Sequence, residues 1–423
     1  MQQIKINGNH QLSGKIKIGG AKNSVVALIP AALLASDKCI INNVPNITDR
    51  DALFNIVKEL NCSITMSGNV VNIDSSLISN KTISQELSSK LRASYYFMGV
   101  LLAKYKHVEM FFPGGCNIGA RPIDLHLKGF EALGATITHD DDTHKYTIDA
   151  KELRGNKIVL DFASVGATIN IMFAASMAKG TTIIENAAKE TEIINIADFL
   201  NAMGGKVSGA GTGTITIDGV DSLHGADIDV IPDRIEAGTY IMLGALLGNN
   251  LTVTGVNPNH ISSLLSSFDK MNIKYEINDK EITINKAEDF KPIDIVTQVY
   301  PGFPTDLGQP MSVLLTQANG TSHFEETIWE NRMQHVEYLN KMGANIELID
   351  NTHANINGKT KLHGCDINAT DLRGGAALVM AGLIADGTTI ISNIEYILRG
   401  YENLIKKLRN VGADIRIIES NNN

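Results

Sequence analysis

The sequence predicts an α/β protein built from a six-fold internal repeat, on three observations. A helix-to-strand junction recurs six times, a second junction recurs in phase with it, and each copy alternates helical and strand periodicity. The first junction begins at Leu60, Leu133, Met203, Met271, Met342 and Val411, with spacings of 73, 70, 68, 71 and 69. Its second residue is Asn61, Gly134, Gly204, Asn272, Gly343 or Gly412, the types that a left-handed helix end selects.

Within each copy an apolar helix comes first and a β-rich segment follows it. These segments are Asp37–Ile41, Lys104–Met110, Ala178–Ile184, Gly248–Val253, Ala318–Phe324 and Ala385–Ile391. A second helix leads into the Leu60-type junction, and short strands such as 69–73, 146–148, 214–217 and 281–284 follow. Strands alternating with helices argue for helices layered on sheet. A unit of ~70 residues is too small for a comfortable core of its own. Three plus three units are therefore expected to cluster into two lobes. The crossings are expected near Gly20–Ala21 and Val230–Pro232, and a cleft between lobes is the default ligand site.

Composition narrows the class. The 423 residues are 43% hydrophobic and 20% charged, as in ordinary globular proteins. A net charge of −9 argues against a nucleic-acid binder. Four cysteines without a CxxC pair argue against a disulfide scaffold and a structural zinc site. The apolar stretch Ser24–Ser36 is short and contains Pro30, so no membrane span is expected. The N-terminus lacks the apolar core of a signal peptide, and a cytoplasmic protein is expected. No cofactor motif is present, and the 11 histidines show no metal-ligand spacing. The run Asp140–His144 reads as a solvated turn, and Gly209–Gly213 reads as a hairpin turn because a strand follows it.

Charged residues gather where the first helix of each unit begins. These starts contain Lys22 and Asn23, Arg92, Ser164-Val165-Gly166, Asp233-Arg234, Asp306 and Asp371-Leu372-Arg373. The helices are apolar nearly all round, so their N-termini are expected inside, where free N–H groups and added cations favour an anion. Asp233, Asp306 and Asp371 can each instead be plain N-caps. Arg121, Arg332 and Arg399 are expected to open second helices. Repeated cationic starts in an acidic protein point to a polyanionic small molecule. The segment Phe112–Pro122 is a Pro-bracketed, Gly-rich loop carrying Cys116. Beside Arg121 its thiol is expected to fall from ~8.5 toward neutrality, fit to act as an acid or a nucleophile. Cys39, Cys62 and Cys365 read as buried filler.

The Cys116 loop, Gly20-Ala21-Lys22-Asn23 and Pro232-Asp233-Arg234-Ile235-Glu236-Ala237-Gly238 resemble the enolpyruvyl transferases of peptidoglycan synthesis. Phe303-Pro304-Thr305-Asp306, Glu330-Asn331-Arg332, Asp371-Leu372-Arg373 and Arg399-Gly400-Tyr401-Glu402 agree, and the resemblance covers essentially the whole chain. It implies two lobes of an inside-out α/β barrel, residues 22–230 and residues 1–21 plus 231–423, with the active site in the cleft between them. It implies transfer of the enolpyruvyl group of phosphoenolpyruvate to the 3-hydroxyl of UDP-N-acetylglucosamine, with release of phosphate and no cofactor or metal. A monomer and sensitivity to the epoxide fosfomycin are implied too.

By the same resemblance, Cys116 is general acid and site of a covalent adduct, and Asp306 is the base. Lys22, Asn23, Arg121 and Arg399 match positions around phosphoenolpyruvate. Asn23, Arg92, Arg121, Pro122, Ile123, Asp124, Leu125, Ser164, Val165, Gly166, Asp306 and Ile328 match positions around the nucleotide sugar. Arg234, Arg332 and Arg373 would complete the cationic lining. Two residues depart from relatives: Phe162 stands where some have a lysine, and Gly308 where many have Gln. The shikimate-pathway sister, acting on 3-phosphoshikimate, lacks the cysteine-bearing loop. A non-catalytic nucleotide-sugar sensor is the alternative outside enzymes.

Overall fold

A computed structural model describes residues 2–111 and 123–419. These fall into two compact units, one of residues 20–111 and 123–231, the other of residues 2–19 and 232–419. The described strands form six small sheets, five of four strands and one of three.

The pattern is clearest in the sheet of residues 157–218. Strand Lys157–Val159 leads through helix Val165–Ala175 to Thr181–Glu185, which lies parallel to it. Helix Thr191–Ala202 then turns into the hairpin Lys206–Ser208 and Thr214–Asp218, whose second strand returns antiparallel to Thr181–Glu185. Each unit thus has a strand before the first helix that the sequence pattern did not signal, as at Asp227–Asp229, Ile295–Val296 and Asp366–Asn368. In the three-stranded sheet this strand shrinks to a single bridge from Ile83 to Met110. Helix–strand alternation with parallel first pairs follows from packing a helix back over the sheet it came from.

The junction residues behave as their types require. Asn61, Gly134, Gly204, Asn272, Gly343 and Gly412 all have positive φ, at 64°, 99°, 94°, 63°, 102° and 107°. Each ends the amphipathic helix and turns the chain into the hairpin. The Gly209–Gly213 segment is the hairpin turn expected, and Asp140–His144 is an exposed turn between Thr136–Asp140 and Lys145–Asp149.

The first helices are interior. Lys22–Ala32, Tyr96–Tyr105 and Val165–Ala175 bury nearly every residue in one unit, as do Arg234–Leu247, Gly308–Leu315 and Leu372–Ile384 in the other. Small residues let them touch. A Cβ on Gly99 would stand 2.5 Å from the Asn170 carbonyl oxygen, so the Tyr96–Tyr105 and Val165–Ala175 helices meet backbone to backbone there.

Three strands are placed far from their sequence neighbours. Gln2–Asn7 inserts between Thr388–Ser392 and Asp414–Glu419, becoming the missing hairpin strand of the last sheet. Leu12–Lys17 lies parallel to Gly248–Thr254, while Asp227–Asp229 lies parallel to Lys38–Asn42. Of the cysteines expected to be filler, Cys39 and Cys62 are buried, and burial pushes both thiols up to about 11. Cys365 is only half-buried, because Asp366–Asn368 is the outermost strand of its sheet.

Candidate active site

In the unit of residues 232–419 the polar centre is Asp306. It sits in the turn Thr305–Leu307 just before the interior helix Gly308–Leu315. It does not cap that helix. Its Oδ1 accepts from Arg332 Nη2 at 2.7 Å and its Oδ2 from Arg373 Nη2 at 3.3 Å. The two guanidiniums are nearly sealed, with side-chain exposures of 5% and 2%, against 24% for Asp306. The carboxylate is therefore the accessible end of a buried cationic pair. Such an arrangement fixes its orientation.

Each arginine is held from behind. Arg332 Nη1 donates to Thr305 Oγ1 at 2.7 Å, and Thr305 Oγ1 donates to Glu326 Oε2 at 2.7 Å. Buried Glu326 also accepts from Thr297 Oγ1 and from the amides of Ile328 and Trp329. One carboxylate thus shapes the backbone at Ile328 and steadies the Asp306 turn, although nothing in the sequence marked it. Arg373 lies over the Tyr401 ring, 5.3 Å from its centroid, and Tyr401 reaches Thr239 on the neighbouring interior helix at 3.0 Å. Burial works against the Arg373 charge, but Asp306, Tyr401 and Asp233 outweigh it and raise its pKa.

Asp233 and Asp371 are the N-caps that their positions allowed. Asp233 Oδ1 accepts from the amides of Ile235 and Glu236, and Asp371 Oδ1 from those of Arg373 and Gly374. Arg234 is buried and lies over Tyr300, 5.3 Å from the ring centre. Two expectations need correction. Arg332 does not open a helix but lies three residues before His335–Lys341, drawn inward by Asp306 and Thr305. Arg399 ends the short helix Glu395–Leu398 instead of starting one, and is half-buried. The chain passes through Gly400 and Tyr401 before the next helix, Leu404–Asn410, so Tyr401 can pack on Arg373.

In the unit of residues 20–231 Lys22 is the first residue of Lys22–Ala32, whose start has no side-chain cap. Its Nζ stands 3.3 Å from Oδ2 of buried Asp49 on helix Thr48–Glu59. Asn23, next to it, is half-buried. Arg92 opens the turn Arg92–Tyr95 and lies over the Tyr95 ring at 5.8 Å. Asp124 begins helix Asp124–Ala132 and is exposed, while Ile123 is buried and Leu125 half-buried. Ser164 caps Val165–Ala175, its Oγ accepting from the Ala167 amide at 3.2 Å. Phe162 is exposed. Cys116, Arg121 and Pro122 lie outside the described residues.

Sequence reasoning missed Glu326, Asp49 and His126 in these surroundings. His126 was passed over for want of metal-ligand spacing, yet it is buried beside the Ser164 helix start. Among the described residues no group of three or more His, Cys, Asp or Glu side chains is arranged to hold a metal, and no helix is long and apolar enough to cross a membrane.

The mixed α/β architecture is that of the enolpyruvyl transferases. The crystal structure of the enolpyruvyl transferase NikO from Streptomyces tendae superposes with a TM-score of 0.90, at 25% identity and 99% coverage of both chains. The chain belongs to the EPSP synthase (3-phosphoshikimate 1-carboxyvinyltransferase) family, whose model matches residues 6–408. It is similar to UDP-N-acetylglucosamine 1-carboxyvinyltransferase 1 of Streptococcus agalactiae serotype Ia, 47% identical across 99% of this chain and 100% of the relative. It is also similar to UDP-N-acetylglucosamine 1-carboxyvinyltransferase 2 of Staphylococcus aureus, 47% identical across 97% and 98%.

Proposed function

We propose that this chain is a transferase that moves the enolpyruvyl group of phosphoenolpyruvate to the 3-hydroxyl of UDP-N-acetylglucosamine, releasing phosphate, at the entry to peptidoglycan precursor synthesis. The observation that carries this is the 47% identity, end to end, with relatives named for that 1-carboxyvinyl transfer. The six sheets and six interior helices of the described residues support two lobes of three repeats each, the inside-out barrel. The lobes of this reading are residues 22–230 and residues 1–21 plus 231–423.

The chemistry assigns the roles. The enol phosphate of phosphoenolpyruvate is a weak electrophile until its methylene carbon gains a proton, which Cys116 supplies as general acid; the same thiol can form the covalent adduct. The sugar hydroxyl attacks the cationic carbon while Asp306 takes its proton. Phosphate then leaves as the methyl carbon gives its proton back. Lys22, Asn23, Arg121 and Arg399 gather the phosphate and carboxylate, and Arg234, Arg332 and Arg373 offset the remaining charge. Asn23, Arg92, the 121–125 stretch, Ser164, Val165, Gly166, Asp306 and Ile328 receive the nucleotide sugar. The protein works in the cytoplasm as a monomer.

Phosphate release from phosphoenolpyruvate, measured with each acceptor, tests the proposal. Release with UDP-N-acetylglucosamine and not with 3-phosphoshikimate is expected. Release only with 3-phosphoshikimate would make it the sister activity, and nucleotide-sugar binding without release would make it a sensor.

A further inference from the structure

The start of the Val165–Ala175 helix differs from the other capped starts of the interior helices. Where Asp233 and Asp371 cap, a carboxylate already supplies the negative charge. At Ser164 the cap is neutral, and it satisfies only the Ala167 amide. The Val165 and Gly166 amides belong to the first turn, which no helix can satisfy from within.

A second group faces this turn. His126, 4% exposed, projects from Asp124–Ala132 against Gly166. A Cβ at Gly166 would stand 2.8 Å from its Cε1 and 3.1 Å from its Nε2, and 2.9 Å from the Tyr95 hydroxyl. Only glycine admits both rings so close to the helix backbone.

The tautomer of His126 follows from its neighbour. Asn170 Oδ1 accepts from the Gly99 amide at 3.0 Å, which fixes the orientation of the Asn170 amide. Its Nδ2 therefore faces His126 Nδ1, at 2.8 Å, and the Tyr95 carbonyl, at 3.1 Å. An amide nitrogen only donates, so Nδ1 is the acceptor and the ring proton sits on Nε2. Burial, with Arg92 nearby, holds the ring neutral, its pKa lowered to about 3. Nε2–H has no hydrogen-bond partner among the described residues.

The repeat supplies a comparison. His335 stands seven residues before Met342, as His126 stands seven before Leu133. There His335 Nε2 already meets Ser312 Oγ, at 2.8 Å. The related ring nitrogen is engaged inside the fold; Nε2 of His126 is not.

We propose that His126, locked by Asn170 as the neutral Nε2–H tautomer, is a positioning residue that donates to the diphosphate of the nucleotide sugar beside the Val165 and Gly166 amides. This rests on the nucleotide-sugar reading above. A neutral donor suits a site already lined by cations, since it fixes an oxygen without adding charge to be desolvated.

The test uses the full chain with UDP-N-acetylglucosamine, UDP and phosphoenolpyruvate. Loss of a donor to a charged oxygen typically costs a factor of about 10 or more. H126F is expected to raise KM for the nucleotide sugar and Kd for UDP by at least about that factor, with a much smaller change in KM for phosphoenolpyruvate. H126Q, whose amide can donate from a similar place, should recover most of the loss. Two-bond ¹H–¹⁵N spectra of the wild type, which need no variant, should show the Nε2–H tautomer, its signal moving on addition of UDP. An Nδ1–H tautomer, or UDP affinity unchanged in H126F, overturns the proposal. A wild type that binds neither UDP nor the nucleotide sugar overturns the functional reading and this proposal with it.

Discussion

Removing the Asp306 carboxylate should separate its structural role from its chemical one. In D306A the Arg332 and Arg373 guanidiniums, 5% and 2% exposed, lose the anion that accepts from both. Breaking a buried ion pair from one side costs about 3–5 kcal/mol; the partial exposure of Asp306, 24%, admits water and points to the lower end, about 3 kcal/mol. D306N keeps an acceptor for the 2.7 Å bond from Arg332 and loses the charge, so about 1–2 kcal/mol is expected. Activity should fall in both by about 10²–10⁴, the usual share of a general base. Urea unfolding gives the first pair of numbers and phosphate release the second. A D306A protein as stable as wild type would refute the burial argument, and wild-type turnover in D306N would remove the carboxylate from the chemistry.

Three further outcomes are expected. C116S should lose phosphate release while still binding the nucleotide sugar by calorimetry, and intact-protein mass should show one fosfomycin adduct on wild type and none on C116S. Burial raises the Glu236 carboxyl to about 7 despite Lys407 at 2.5 Å. Its folded pKa lies above the unfolded value, so its contribution is full below about 4.5 and is lost as pH rises through about 7; E236Q should flatten that loss in unfolding curves taken from pH 4 to 8. G99A forces a methyl to within 2.5 Å of the Asn170 carbonyl oxygen and should cost about 1–3 kcal/mol, read as a lowered Tm.

Much of the architecture was written locally. Asn and Gly at the six junctions tolerate positive φ, and that steric fact acts within a few residues, so the repeat was legible without coordinates. The interior helices were legible because they are apolar on every side. The strands before those helices were not, since two or three residues carry no period to detect.

For the site, the sequence determined by itself which chemistry is on hand: the cationic helix starts, the cysteine loop and the aspartates. It could not say which aspartate does what. Asp233, Asp306 and Asp371 all stand at or just before interior helix starts, yet two cap their own helices and the third binds arginines 26 and 67 residues away. Nor could it pair Lys22 with Asp49, join Thr305 to Glu326, or set the proton on His126. A cap bonds to amides two or three residues on and is governed by local geometry. The partners of a buried charge are chosen by which helices pack together, and only the tertiary structure decided that.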